Sequence, residues 1–462
     1  MIVPGVKPMP PETAEAGVCV VGAGFSGIAA ARKLQGAGVE TVVLEARDRV
    51  GGRVWNREMT DGTVVSVGGT WLGKGHDRLF ALSRELGMAT YPQFEDGEAL
   101  VRLDGKNHRY RGVLPKGVGV LALASMGLVL LRLGWLAKRV PLDRPWETRG
   151  GRRLDSATLG ELISSPWNVP SRTARALLHA GFSTLFCVDP GEVSLLGSMV
   201  LAAGGGGFGY YMDTKQTETH LVDGGAPELA ARFAAPLGER LRLGSPVRWI
   251  RHRHDHVEMG GDHVTVRARH AIVATPPLLA SRIEFDPALP PDHASLLRSY
   301  PPGAIIRGIA TFDEPFWRAD GLTGQTLAPD SPVSVSIDQA GPGGSPGIIS
   351  SYAVGPAATD LAKRDPAERR ELWLGELAQR FGPRARSPRA FLETNWAEEP
   401  WSLGGMIGHL PTGVLTGYGP AIRQPAGRIH WAATETATAM HGLMEGAVRS
   451  GERAADEVLA AI

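Results

Sequence analysis

Gly22, Gly24 and Gly27 stand in the pattern Gly-Ala-Gly-Phe-Ser-Gly, directly after the apolar run 18–21 (VCVV) and at the head of a helix-forming stretch, 28–35. Each glycine has a physical task. Gly22 permits a tight turn, Gly24 lets backbone approach a diphosphate, and Gly27 brings the helix close to the strand. The helix N-terminus then offers unpaired N–H groups and the positive end of its dipole to the phosphates. Glu45 follows Gly27 by 18 residues, at the end of a second strand-like run, 40–44. There its carboxylate accepts both ribose hydroxyls and repels a 2′-phosphate. Arg49-Val50-Gly51-Gly52-Arg53 adds a second glycine turn, with Arg53 in reach of a phosphate and Gly52 open to close contact. Together these residues predict dinucleotide binding.

The elements that must hold such a site alternate in type. Strand-like runs occur at 63–67, 247–250, 264–266, 271–274, 304–312 and 429–432, and helical stretches at 366–381 and 442–461. Residues 91–220 read as helical and irregular. The charge balance, 49 Lys+Arg against 48 Asp+Glu, provides no net positive field to collect phosphates and excludes nucleic acid as the main partner. Two cysteines, Cys19 and Cys187, make neither a disulfide framework nor a zinc site. His252, His254, His256 and His263 alternate along a hairpin and read as a solvated tip, so no metal is expected. The start, 1–17, lacks a basic segment leading into an apolar one, which predicts a cytoplasmic protein. Residues 118–131 carry no charge between Lys116 and Arg132, yet are too few for a transmembrane segment. The expectation is a buried or half-buried helix, with a monotopic membrane contact or a partner surface as the alternative.

Gly-x-Gly-x-x-Gly by itself does not separate FAD from NAD. The wider motifs do: VVGAGFSGIAAARKL, VVLEARDRVGGR and VGGTWLG near the start, and IHWAATETATAMHGLMEGAVRSGERAADEVL at the end. PLDRPW, DPGEVSLL, VDGG, RLGSPV, AIVATPP and EPFW follow in order between them. The chain resembles the flavin-containing monoamine oxidase family over nearly its whole length. That resemblance implies an α/β fold with a discontinuous Rossmann-like FAD-binding domain, 1–90, 221–290 and 400–462. A mixed α+β substrate domain would be 91–220 and 291–399. It also implies roles for residues. Gly22, Gly24, Ser26 and Gly27 would hold the diphosphate, Glu45 with Ala46 and Arg47 the ribose, and Val247 the adenine. Gly52, Arg53, Gly68, Gly69, Thr70 and Trp71 would line the ribityl and isoalloxazine side. Thr434, Glu435 and Met444 would close on it from the C-terminal segment. The implied reaction is hydride transfer from a C–N bond of a small-molecule amine to flavin N5, with O2 as acceptor giving H2O2. No Cys lies in 404–407, which predicts non-covalent FAD. A homodimer is left open.

Departures from the family fall at the chemistry. Where typical members carry a lysine that holds a water beneath the flavin, this chain has Arg307, read as the catalytic residue, either still holding a water or gripping a substrate carboxylate or carbonyl with two prongs. Met406 and Leu443 occupy the positions of the two flanking aromatics. Small residues at 197–203, on an expected cavity-lining helix, suggest room for a larger substrate, with Tyr210 and Tyr211 supplying bulk. The alternative reading is a desaturase, cyclising or aromatising oxidase of a larger, secondary-metabolite-like substrate.

Overall fold

The computed structural model describes residues 12–112 and 118–462; residues 1–11, part of the stretch read for a leader, and Lys116 lie outside the described residues. Strand Glu12–Val21 is central to an eight-stranded sheet. Thr41–Leu44 lies parallel on one side of it, with Leu241–Arg242 outside that strand. Val264–Val273 lies parallel on the other side and also carries Ile429–Trp431. The hairpin of Trp249–His252 and Val257–Gly260 extends the sheet antiparallel, and Glu284–Asp286 ends it. Val18, Val20 and Ile272 face a core layer shared with Ile28 and Val448, while Cys19, Val21, Val42 and Val273 face the opposite layer. A strand covered on both faces is apolar at every position, hence VCVV without alternation.

Val264–Val273 corrects the expectation of two short strands separated by a turn: it is one strand. Arg267 and Arg269 are exposed between buried Val266, Ala268 and His270, because only one face is covered there. That polar alternation imitates a turn. Helix Phe25–Gly36 packs on the C-terminal helix Met444–Leu459. Gly451 permits the approach, since a Cβ there would lie 2.0 Å from the Ser26 carbonyl oxygen.

The second sheet has seven strands: Ala390–Asn395, Ile305–Phe312, Gly347–Val354, Val335–Asp338, Leu322–Leu327, Glu98–Leu103 and Lys106–Tyr110. All neighbours are antiparallel except Leu322–Leu327 with Glu98–Leu103. The hairpin Glu98–Leu103/Lys106–Tyr110 corrects the helical reading of 91–220. Its two-residue turn, Asp104-Gly105, has φ of 49° and 74°, the left-handed pair that suits the twist of a tight hairpin. Helix Pro366–Phe381 is capped by the Asp365 side chain, which accepts from the Ala367 N–H, and stops at Gly382, φ 86°.

Residues 118–131 are half-buried, within the wider expectation. They belong to helix Val120–Ala137, which packs on Arg172–Phe186 and Leu195–Gly204 by one narrow face: Ala122, Ser125, Val129, Leu133 and Ala137. The opposite stripe, Val120, Leu121, Ala124, Leu128, Leu131 and Trp135, is exposed rather than buried. By length and composition it is the one helix among the described residues apolar enough to cross a membrane.

Candidate active site

A cavity of about 630 Å³ opens beside the carboxyl ends of the first sheet's strands, at Val21, Leu44 and Ala274, and is walled on its far side by the second sheet. Gly22, with φ 100°, turns the chain into it, and Gly24 and Ser26 line it. No side chain among the described residues caps helix Phe25–Gly36, and its first turn holds no acid, so its N–H groups stay free for an anion. Opposite, Gly52 comes so close that a Cβ there would lie 3.3 Å from the Gly24 Cα. Gly27 keeps the packing task read from its place in the motif and loses the diphosphate contact that the resemblance implied. It does not line the cavity, and a Cβ on it would sit 1.9 Å from the Gly22 carbonyl oxygen, so its task is packing.

Glu45 is buried at the cavity wall with both oxygens fixed. Oε2 accepts from the Ala23 N–H at 2.6 Å and Oε1 from the Arg47 N–H at 2.9 Å. Ala46, Arg47 and Val247 line the same region. Arg47 also donates to Ser402 Oγ at 2.9 Å and pairs with Glu399. Its Nε, and the Oγ1 of Thr275 in the same wall, are buried without a partner among the described residues. A buried unpaired polar atom costs about 1–3 kcal/mol, so two in one wall ask for a polar ligand. Glycine cradle, free helix N–H groups, fixed carboxylate and orphan donors all fit FAD. Trp401 lines this region with the Arg248 guanidinium 5.6 Å from its ring centre, while Trp431 packs on Phe285 and His293.

Arg53 and Glu435 were expected to face the cofactor side by side. Instead they hold each other: Arg53 Nη1 donates to Oε1 at 2.6 Å and Nη2 to Oε2 at 2.9 Å. Arg53 lines the cavity and Glu435 lies buried behind it, a correction to its assignment as a contact. Burial alone raises the Glu435 carboxyl, but the guanidinium beside it and the Gly408 N–H outweigh that and hold it below its ordinary value. Gly68, Gly69, Thr70 and Trp71 line the cavity, as do Thr434 and Met444. Met444 begins the C-terminal helix, whose N-terminus is left open because Glu445 turns away to accept from the Arg78 and Leu79 N–H groups, each at 3.1 Å.

Arg307, on strand Ile305–Phe312, lines the cavity, but its donors are largely spent. Nε donates to Ser350 Oγ at 2.7 Å and Nη2 to Gln339 Oε1 at 2.9 Å. Nη1 donates to Thr70 Oγ1 at 3.0 Å and to the Gly68 carbonyl. Of a guanidinium's five N–H groups one is left, which removes the two-pronged substrate grip. Its carbon lies 5.2 Å from the ring centre of Tyr352, its register partner on Gly347–Val354, and 5.4 Å from that of Trp71.

The sequence reading missed the group facing Arg307. Glu218 lines the cavity, and its Oε2 is buried without a partner among the described residues. Burial pushes its carboxyl up to about 8, against the pull of Arg307. Burial likewise holds His76, also in the wall, down to about 4; its Nδ1 accepts from the Gly73 N–H at 3.1 Å. Tyr211, Met406 and Leu443 line the cavity as expected positions, while Tyr210 does not: its hydroxyl donates to the Lys74 carbonyl at 2.9 Å. Trp71, Tyr352 and Trp396 supply aromatic wall in place of the missing pair. Helix Leu195–Gly204 is the last correction. None of its residues lines the cavity; a Cβ on Gly197 would lie 2.9 Å from Leu410 Cβ, so its small residues serve packing and not substrate room.

Residues 25–459 match the family model of the flavin containing amine oxidoreductases. The chain is 36% identical over 452 residues to flavin-containing monoamine oxidase AofH of Mycobacterium tuberculosis, covering 98% of each chain. Among solved structures it is similar to wild-type putrescine oxidase bound to putrescine, with TM-score 0.93, 29% identity, and coverage of 97% of this chain and 100% of that one. Cyclohexylamine oxidase from Brevibacterium oxydans gives TM-score 0.92, 31% identity, and coverage of 98% and 99%.

Proposed function

The chain belongs to the flavin-containing amine oxidoreductase family, and from that premise we propose that it oxidises a C–N bond of an amine carried into the cavity beside Glu218 and Arg307, with O2 as acceptor and H2O2 as product. The observation that carries this reading is the continuity of one cavity from the Gly24–Glu45 region to the Arg307–Glu218–Tyr352 group. Bound FAD supplies the hydride acceptor. The chain's residues do the rest. The Phe25–Gly36 N-terminus with Gly24 and Gly52 holds the diphosphate, Glu45 the ribose, and the open N-terminus at Met444 the opposite side. Arg53, locked by Glu435, presents a fixed positive charge. Arg307 is a positioning residue that ties Gly68 and Thr70 to the second sheet. Glu218, once ionised, accepts from the amine nitrogen and takes the proton that must leave before a hydride can, and Tyr211, Tyr352, Met406 and Leu443 shape the space around the carbon frame. We assign the FAD-binding part to 1–90, 221–290 and 400–462 and the substrate part to 91–220 and 291–399.

The purified protein is expected to be yellow and to bleach anaerobically on addition of its amine, across a panel of alkylamines, diamines, amino acids and bulkier amines. Bleaching by no member of such a panel counts against the reading. The flavin is proposed to be non-covalent: Cys19 and Cys187 are buried outside the cavity wall, and burial pushes the Cys187 thiol up to about 12. Acid precipitation should release the colour to the supernatant; colour retained on a peptide refutes that part.

Glu218 gives a pH prediction whose sign follows from its raised value. Below about 8 the carboxyl is neutral, and above it a carboxylate faces the cavity. A quaternary ammonium inhibitor, whose own charge does not titrate, should therefore bind more tightly as pH rises from about 7 to about 9, approaching tenfold per unit at most. In Glu218→Gln the inhibition constant should be flat over that range. An unchanged limb in the variant removes Glu218 from amine recognition.

A further inference from the structure

We propose that the exposed face of helix Val120–Ala137 is a docking surface for an anionic phospholipid bilayer, on which the protein rests without spanning it. The helix is apolar but for Ser125 and Arg132, and it is covered on one side only. Its free stripe sets Leu128 at 69% and Leu131 at 73% exposure, with Trp135 a turn further on. A soluble surface helix normally turns polar residues outward, and a contiguous apolar stripe marks a binding surface. Trp167, 95% exposed, belongs to the same region, because its neighbour Asn168 accepts from Arg132 Nη1 at 3.1 Å. Exposed tryptophans beside exposed leucines are the composition of a membrane interface, where an indole places its ring among acyl chains and its N–H among headgroups.

Charge selects the occupant. Between residues 105 and 142 the sequence holds seven Lys and Arg and no Asp or Glu. Arg132, Lys138 and Arg139 are exposed at the C-terminal half of the helix, and the Arg139 guanidinium lies 3.3 Å from the Trp135 ring centre. A second copy docking by a two-fold axis would offer these cations either the apolar N-terminal half of the same stripe or their own images, and no acid in 105–142 to pair with them. A bilayer rich in anionic headgroups would pair with them. Arg132, within the helix, and the protein packed against Ala122, Val129 and Leu133 exclude spanning. Insertion of one apolar face to the headgroup boundary remains, the geometry of an interfacial helix.

The test is sedimentation of the flavin-loaded protein with vesicles of phosphatidylcholine alone and of equal phosphatidylcholine and phosphatidylglycerol. Binding is expected to the anionic vesicles at about 0.1 M salt, and to weaken strongly at about 1 M. Replacing Arg132, Lys138 and Arg139 together by Gln should lower the partition coefficient about a hundredfold at low salt. Leu128→Asp with Leu131→Asp should abolish binding while thermal stability and flavin absorbance stay at wild type, since neither side chain is buried. Three results overturn the proposal: no binding to either vesicle, binding untouched by both sets of substitutions, or concentration-dependent self-association that the Leu128/Leu131 variant removes.

Discussion

Gly24→Ala is expected to give a folded but colourless protein. Gly24 has φ −73°, an ordinary value for any residue, and a Cβ there would meet nothing nearer than the Gly52 Cα at 3.9 Å. The fold therefore has room for the methyl group. The room is the diphosphate cradle itself, between the uncapped N-terminus of Phe25–Gly36 and Gly52. A methyl group in it separates the phosphates from the helix N–H groups, and losing about 3 kcal/mol of that contact raises the FAD dissociation constant more than a hundredfold. Gly27→Ala makes the contrast. Its Cβ would lie 1.9 Å from the Gly22 carbonyl oxygen, so helix and strand must part. Overpacking of that kind costs about 1–3 kcal/mol or more, and this variant should lose stability along with colour. Flavin absorbance per mole and the melting temperature of the apo form separate the two. Wild-type FAD affinity in Gly24→Ala would falsify the assignment of the diphosphate to this cradle.

The parts of the fold that were legible are those whose local chemistry and tertiary role agree. VCVV followed by Gly22 and Gly24 is a doubly covered strand feeding a phosphate-type turn, and the structure builds both. Helix Pro366–Phe381 carries its own boundaries, Asp365 in front and Gly382 behind. Where local pattern and environment part, sequence reasoning failed. Asp104-Gly105 is a strong hairpin signal, yet the flanking KNHRY carries so little apolar character that the strand was overshadowed by the helices after it. For Val120–Ala137 the apolar run correctly signalled a helix. Which face it leaves uncovered depends on two other helices, and no local pattern encodes that.

The site divides in the same way. The cofactor cradle was legible because the turn demands glycine at Gly22, close approach of a diphosphate favours one at Gly24, and the ribose calls for a fixed acid at Glu45. The substrate side was not, because its members come from distant segments that meet only in three dimensions. Glu218 sits in TKQTETH, an unremarked polar stretch, and becomes an unusual carboxyl solely through burial beside Arg307. Tyr352 reaches the cavity through its cross-strand pairing with Arg307. Tyr210 and Tyr211 are neighbours in sequence, yet their rings stand at 88° to each other and only Tyr211 meets the cavity.

Arg307→Ala should lower turnover about a hundredfold and destabilise the protein, although Arg307 keeps only one N–H for a ligand. The substitution strips donors from Ser350 Oγ, Thr70 Oγ1, Gln339 Oε1 and the Gly68 carbonyl at once. It also removes the cation that pulls down Glu218. Leaving a buried polar group without its donor costs about 1–3 kcal/mol, which thermal unfolding reads directly. Freed from the second sheet, the Gly68–Thr70 backbone no longer fixes that cavity wall, and a displacement of about 1 Å in a reacting geometry is worth about a hundredfold in rate. Arg307→Lys should recover only part of either loss, because one ammonium cannot reach acceptors placed around a planar fork. A readout independent of turnover separates this positioning role from direct contact. Without the guanidinium, Glu218 should ionise at higher pH, so the quaternary ammonium binding limb should move above about 8 in Arg307→Ala. If stability, turnover and that limb all stay at wild type, Arg307 does not organise the site. If turnover alone falls while stability and the limb hold, its one remaining N–H acts on the substrate directly.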